Sequence, residues 1–184
     1  MMQAFTLKRE KQLSTIGILI TMASILMLFG TFISSFYVLK IRTATDLTLP
    51  NYLIRIGVVN TVILFISSAT FTLGAKRFRE DDMNAYGLWL LLTIMGGFLF
   101  LFGQVYLWSE LTHIGLGITH GQLSDMFYLM TGAHGLHIFA GIASLIWLQV
   151  GHKNSFQYNR VHHVGMFWHF LGFLWVVLFA VILF

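Results

Sequence analysis

Histidine combines metal ligation with proton exchange near neutral pH. The stretch Phe127 to Gly141, FYLMTGAHGLHIFAG, sets His134 and His137 three residues apart in a run otherwise as apolar as lipid. His169 lies in FWHFLGFLW, Phe167 to Trp175, and His162 and His163 precede it. Neutral imidazoles gathered in this way could ligate haem or a di-metal centre. The donor set opposes that reading: only His134 and His137 have the spacing of a histidine box, and no carboxylate accompanies them. An intramembrane protease or transferase would instead need an ionisable group or an activated nucleophile at membrane depth. The seven acids are Glu10, Asp46, Glu80, Asp81, Asp82, Glu110 and Asp125, every one in a tail, a loop or a helix end. There is no Cys, which excludes disulfides, thiolate metal sites and cysteine nucleophiles. The expectation is a chain without a cofactor of its own.

The structural reading of the same residues begins with helical geometry. At about 100° per residue, Thr131, His134, His137, Gly141 and Ser144 share one side of a helix, with Leu129, Met130 and Leu145 towards the other. Small residues on such a side admit a neighbouring backbone, and imidazoles can hydrogen-bond across the gap. Gly165, His169 and Gly172 repeat the pattern near the C-terminus, with Trp168 and Trp175 on a second stripe.

The elements that position these side chains are membrane helices. The chain of 184 residues is 57% hydrophobic and 10% charged, where soluble domains are about 25% charged. Five apolar runs, about 14–39, 53–75, 86–109, 126–151 and 164–184, with Arg55 near the start of the second as their one charge, reach the ~20 residues needed to cross ~30 Å of hydrocarbon. The fold predicted is all-α, a single membrane domain of five transmembrane helices. Alternating strands of barrel type are absent from the sequence. The first run exceeds the core of a cleaved signal and is expected to remain as helix one.

Each run carries its own packing signal. In the first, Gly17, Thr21, Ser24, Thr31 and Ser35 form a small and hydroxylated stripe, read as a packing seam. A polar path is the alternative, but none of these residues ionises. In the second, Asn60, Ser67 and Gly74 recur at i+7 and mark a buried face, with Pro50 at the entrance. The third closes on QVYLWSE, Gln104 to Glu110, with Tyr106 and Trp108 as an interfacial belt. Ser124 and Asp125 suit an N-cap for the fourth. His113 and His120 are expected to face solvent.

The net charge of +4 sits in tails and loops and reads as a topology signal, not a nucleic-acid footprint. The N-tail, the 76–85 loop and the 152–163 loop hold most of the Lys and Arg, and the 110–125 loop holds none. The positive-inside rule then predicts a cytoplasmic N-terminus and a C-terminus on the outer face.

TGAHGLH (Thr131 to His137), FWHFLGFLWVVLF (Phe167 to Phe179), QVYLW on the third run and VNT (Val59 to Thr61) together resemble, over about residues 15–184, subunit III of the haem-copper terminal oxidases in its bacterial five-helix form. The resemblance implies an accessory subunit without redox centres, packed beside oxidase subunit I and other subunits of the oxidase or a respiratory supercomplex. It implies haem and copper in those partners, phospholipid bound between the helices, and support of proton uptake, oxygen access and durability. The membrane implied is the bacterial cytoplasmic one. Thr131, Gly132, His134, Gly135, His137, Trp168 and His169 match the family's motif positions, with Asn60 and Gln104 as further contact residues for packing, subunit or lipid. The chain departs from the family at Ile25, Leu107 and Gly172, where Glu, Glu and Asp are usual. Cytochrome c oxidase is the first expectation. A quinol oxidase or nitric oxide reductase partner is the alternative, and a His-ligated membrane redox enzyme is the one outside the family.

Overall fold

The computed structural model describes residues 2–43, 50–115, 117, 121–150 and 157–183. They form α1 (Met2–Thr43), α2 (Asn51–Arg79), α3 (Met83–His113), α4 (Gln122–Val150) and α5 (Gln157–Leu183). All five are long and apolar enough to cross a membrane, so the chain is a multi-pass, all-α membrane protein. Asp46, His120 and Lys153 fall outside the described residues.

The helices overrun the apolar stretches that announce them. Hydropathy measures only the hydrocarbon thickness, whereas the i→i−4 ladder continues into polar residues at the interface. Thus α5 begins at Gln157, not near 164, and His162 and His163 belong to the helix. His163 lies 3.1 Å from the Thr15 hydroxyl and 3.2 Å from that of Ser14, which ties the start of α5 to α1. The predicted N-cap of α4 is also displaced. Ser124 and Asp125 sit inside the first turn, where the Ser124 hydroxyl donates to the Gly117 carbonyl at 3.1 Å and the Asp125 N–H to Gly121 at 3.1 Å. Pro50 precedes α2, and its carbonyl accepts from Leu53 at 2.9 Å and Ile54 at 3.3 Å.

The closest packing is between α2 and α3, joined by the turn at Glu80–Asp82; α4 lies on α3, α5 on α2 and α4, and α1 on α4 and α5. Asn60, Ser67 and Gly74 are buried against α3, where they meet Gly103, Gly96 and Trp89. Steps of seven on both helices keep one antiparallel register along the hairpin. The Ser67 hydroxyl donates to the Thr93 carbonyl at 2.9 Å, and the Thr70 and Thr93 hydroxyls are 3.0 Å apart.

Helix α1 does not use its small stripe inside this chain. Thr21, Ser24, Thr31 and Ser35 are exposed, and nothing lies within 4 Å of a Cβ built at Gly17. Thr21 and Ser24 satisfy their hydroxyls on carbonyls one turn back, at 3.0 and 2.9 Å, and so need no neighbour. The helix packs through Ile25, Phe29 and Phe36. Helix α4 is buried more widely than one stripe, because Met130 and Leu145 are buried along with Thr131 and His134; only Leu129 of the predicted far side is exposed. Contact with α1, α3 and α5 accounts for this.

Candidate functional site

Of the motif residues, Thr131, His134 and Trp168 are buried where α3, α4 and α5 meet, and His169 is not. His134 is fully buried. Its ring stacks on Trp175 at 5.3 Å and 27° and meets the edges of Phe100 at 6.0 Å and Phe29 at 6.2 Å. Neither ring nitrogen has a hydrogen-bond partner among the described residues. Trp175 is fixed from behind, because its indole N–H donates to the Thr61 hydroxyl at 3.0 Å, which donates in turn to the Gly57 carbonyl at 2.8 Å. The VNT of α2 thereby holds the ring on which His134 rests.

His137 turns away from this cage. Its Nδ1–H donates to the Ala133 carbonyl at 2.7 Å, and its ring lies 5.6 Å from Phe29. The expected bonds across the helix gap are therefore not made: His134 is held by aromatic rings, and His137 by its own helix. Thr131 is the motif's interhelical anchor, accepting from the Trp108 indole at 3.1 Å while donating to the Phe127 carbonyl at 2.8 Å.

Two motif glycines occupy looser sites than expected. A Cβ at Gly135 would meet only Leu101, at 3.8 Å, and one at Gly132 only Trp108, at 3.6 Å. Both are ordinary contact distances. Two tighter glycines lie against Trp168, which is 2% exposed. A Cβ at Gly97 would come within 2.8 Å of its ring, and one at Gly141 within 3.0 Å. Trp168 thus fills space that α3 and α4 leave by lacking side chains. Gly96, Gly97 and Gly103 went unnoticed in the sequence; the i+7 step from Gly96 to Gly103 was the available signal.

His169 lies at the surface between α2 and α5, not on a close-packed face. One ring nitrogen is 2.5 Å from the Ser68 hydroxyl and the other 3.5 Å from that of Thr72. Gly165 packs on Phe71, whereas nothing lies within 4 Å of a Cβ at Gly172. Cavities of about 420 and 210 Å³ open on either side of His169.

Gln104 and Asn60 are each 2% exposed. The Asn60 side chain packs on Gly103. Gln104 lines a cavity of about 20 Å³ beside Trp175 and makes no hydrogen bond among the described residues. Among the described residues, no three of His, Asp and Glu come together as metal ligands. Among the described residues, His134 and His137 have no third donor beside them.

The profile of the cytochrome c oxidase subunit III family matches residues 4–184. The chain belongs to that family. A cytochrome c oxidase subunit 3 from Thermostichus vulcanus is 30% identical over 180 residues, 91% of this chain and 85% of the relative. A probable cytochrome c oxidase subunit 3 from Nocardia farcinica is 29% identical over 190 residues, 97% of this chain and 91% of its own. A probable quinol oxidase subunit 3 from Staphylococcus epidermidis is 27% identical over 183 residues, 94% of this chain and 89% of its own. Ile25, Leu107 and Gly172, the positions at which the resemblance leads one to expect acids in subunit III, differ in their surroundings. Ile25 and Leu107 are both buried in one apolar cluster with Phe29 and Phe36, and Gly172 borders the smaller groove.

Proposed function

We propose that this subunit III chain is a non-catalytic accessory subunit of a respiratory haem-copper oxidase, in the first place a cytochrome c oxidase, in the bacterial cytoplasmic membrane. It packs beside subunit I, binds phospholipid, and supports assembly, oxygen and proton access and stability during turnover. Haem and copper are held by the partner subunits. The family match across residues 4–184 carries this reading. The geometry supports it: His134 and His137 are engaged by aromatic rings and a backbone carbonyl, an arrangement that builds a rigid wall. The basic residues of the α2–α3 turn support a cytoplasmic N-terminus.

The quinol oxidase reading has a specific support in the Staphylococcus epidermidis relative, which this chain matches over 94% of its length. One experiment separates the readings. The tagged chain is purified from native membranes in mild detergent, and the accompanying chains, the haem spectrum, and oxygen uptake with reduced cytochrome c or with quinol are measured. A haem-bearing large subunit with cytochrome c-driven uptake is expected. Uptake with quinol alone would select the second reading. A Soret band from the chain purified alone would overturn both, since haem would then reside here.

A further inference from the structure

Polar groups buried in a membrane bundle have no bulk water to serve them, so each must find its partner inside the protein. Gln104 stands out on that count. It is 2% exposed, and neither its Oε1 nor its Nε2 has a hydrogen-bond partner among the described residues. A side-chain amide carries two N–H donors and an oxygen with two lone pairs, so the whole bonding capacity of this residue is idle. The same side chain borders a cavity of about 20 Å³ whose other walls come from α2, α4 and α5. Gly57, on the α2 wall, lies ~9 Å along the axis from the start of that helix. Trp175 is on the α5 wall, but its indole N–H is committed to the Thr61 hydroxyl. The polar character of the cavity therefore rests on Gln104.

We infer that this cavity is a binding site for a single water molecule, held by the Gln104 amide where α5 is seated on the α2–α3 hairpin. Size and polarity together select the ligand. A site needs ~10–15 Å³ to admit a water, so about 20 Å³ takes one and shuts out any larger molecule. A cavity of this size lined wholly by aliphatic and aromatic groups would stay dry. Here an amide with nothing else to bond stands on the wall. A buried water makes about three hydrogen bonds. Gln104 supplies both a donor and an acceptor. The Gly57 carbonyl, which accepts from the Thr61 hydroxyl at 2.8 Å, keeps a second lone pair for the third. The water thus joins α3 to α2 one residue beyond the contact of Asn60 with Gly103, and Trp175 and Phe179 of α5 cover it. The competing arrangement is a direct bond from Gln104 to His134, whose ring nitrogens are also unpartnered among the described residues. His134 stacks on Trp175 at 5.3 Å but does not border the cavity.

The test uses the full chain in bilayers, with the subunits that accompany it and with nitrogen-15 in its glutamine side chains. Solid-state NMR measures magnetisation passed from water protons to the Gln104 amide, the signal being assigned by its loss in Gln104→Met. Transfer is expected, together with an ordered water within hydrogen-bond distance of Gln104 in a high-resolution map of the same assembly. Thermal unfolding gives an independent reading. Methionine keeps the length of glutamine and carries no amide. Removing an amide that is buried dry relieves its desolvation cost and raises Tm, whereas removing one that is bonded to water forfeits those bonds. Tm of Gln104→Met is therefore expected at or below that of the parent. Leu107→Phe fills the cavity from another position on its lining. Its loss of Tm should be smaller in the Gln104→Met background, where no amide remains to be hydrated. Equal losses in the two backgrounds, a rise in Tm for Gln104→Met, or a Gln104 signal coupled to the His134 ring in place of water would each overturn the proposal. So would an absence of transfer from water, which is read on the unsubstituted chain and decides the matter even where a variant fails to assemble.

Discussion

A single Cβ is the smallest change a helix can be given, and its cost separates glycines that look alike in sequence. At Gly97 it meets the Trp168 ring at 2.8 Å and Ile142 at 2.9 Å. Trp168 is itself held on Gly141 and has no free end to swing. Gly97→Ala should therefore cost ~1–3 kcal/mol as overpacking, more than the ~1 kcal/mol gained in helix propensity. Gly135→Ala meets only Leu101 at 3.8 Å and should keep that gain. Thermal unfolding in one detergent should thus rank Gly135→Ala at or above the parent and Gly97→Ala below it; the reverse order would mean that the TGAHGLH glycines form the tight seam after all. His134 supplies a second residue-scale test. A buried imidazole with no protein partner carries a desolvation cost of ~1–3 kcal/mol, and what it contributes is ring area against Trp175, Phe100 and Phe29. His134→Phe keeps the ring and removes the cost, so stability should hold or rise. Turnover should stay within about twofold, below ~0.5 kcal/mol of activation free energy. His134→Ala should lose ~2–5 kcal/mol through the cavity. Loss of proton pumping in His134→Phe with the complex intact would give the imidazole a protonic role. The motif was legible because histidine is rare at membrane depth; that its neighbours are rings and not hydroxyls depends on Phe29 and Trp175, far apart in the chain.

The α2–α3 hairpin gives the element-scale case, since its register rests on small residues facing polar ones at steps of seven. A Cβ at Gly96 would lie 2.7 Å from Ser67 Cβ and 3.5 Å from its Cα, so the backbones themselves must part. Gly96→Ala should destabilise by ~1–3 kcal/mol, and Ser67→Gly should restore most of it. The measurement is a double-mutant cycle on thermal unfolding, and a coupling near zero would mean that the two helices do not meet there. The α2 half of this seam could be read from Asn60, Ser67 and Gly74, because polar residues stand out in an apolar helix. The α3 half could not, because Gly96 and Gly103 add little to hydropathy and nothing in one dimension says which helix they face. Helix α1 shows how far such a pattern reaches. Its small stripe follows the same pattern, but its hydroxyls bond the carbonyls of their own helix, so the pattern signals tolerance of close approach and not a neighbour within the chain. Helix number and order were legible because each run matches the bilayer thickness; helix ends were not, because hydropathy falls off at the interface before the hydrogen-bond ladder stops.

At the scale of the whole molecule the decisive quantity is which ends face the cytoplasm. Helices α2 and α3 are antiparallel, so the Glu80–Asp82 turn and the α3 end at His113 lie on opposite membrane faces. The turn is flanked by Lys76, Arg77 and Arg79, whereas the 110–125 segment has no Lys or Arg. Each cation near the anionic cytoplasmic leaflet contributes ~1 kcal/mol, which in aggregate favours the orientation proposed above. Turning the chain over would present Lys76, Arg77 and Arg79 to the outer leaflet and lose that contribution. Because the sequence contains no Cys, a single introduced thiol reports its own side without background. Asp81 and His113 are both exposed and suit replacement. In intact cells, a membrane-impermeant maleimide should label His113→Cys and leave Asp81→Cys unlabelled until the membrane is opened with detergent. Labelling of Asp81→Cys in intact cells, with His113→Cys protected, would invert the topology.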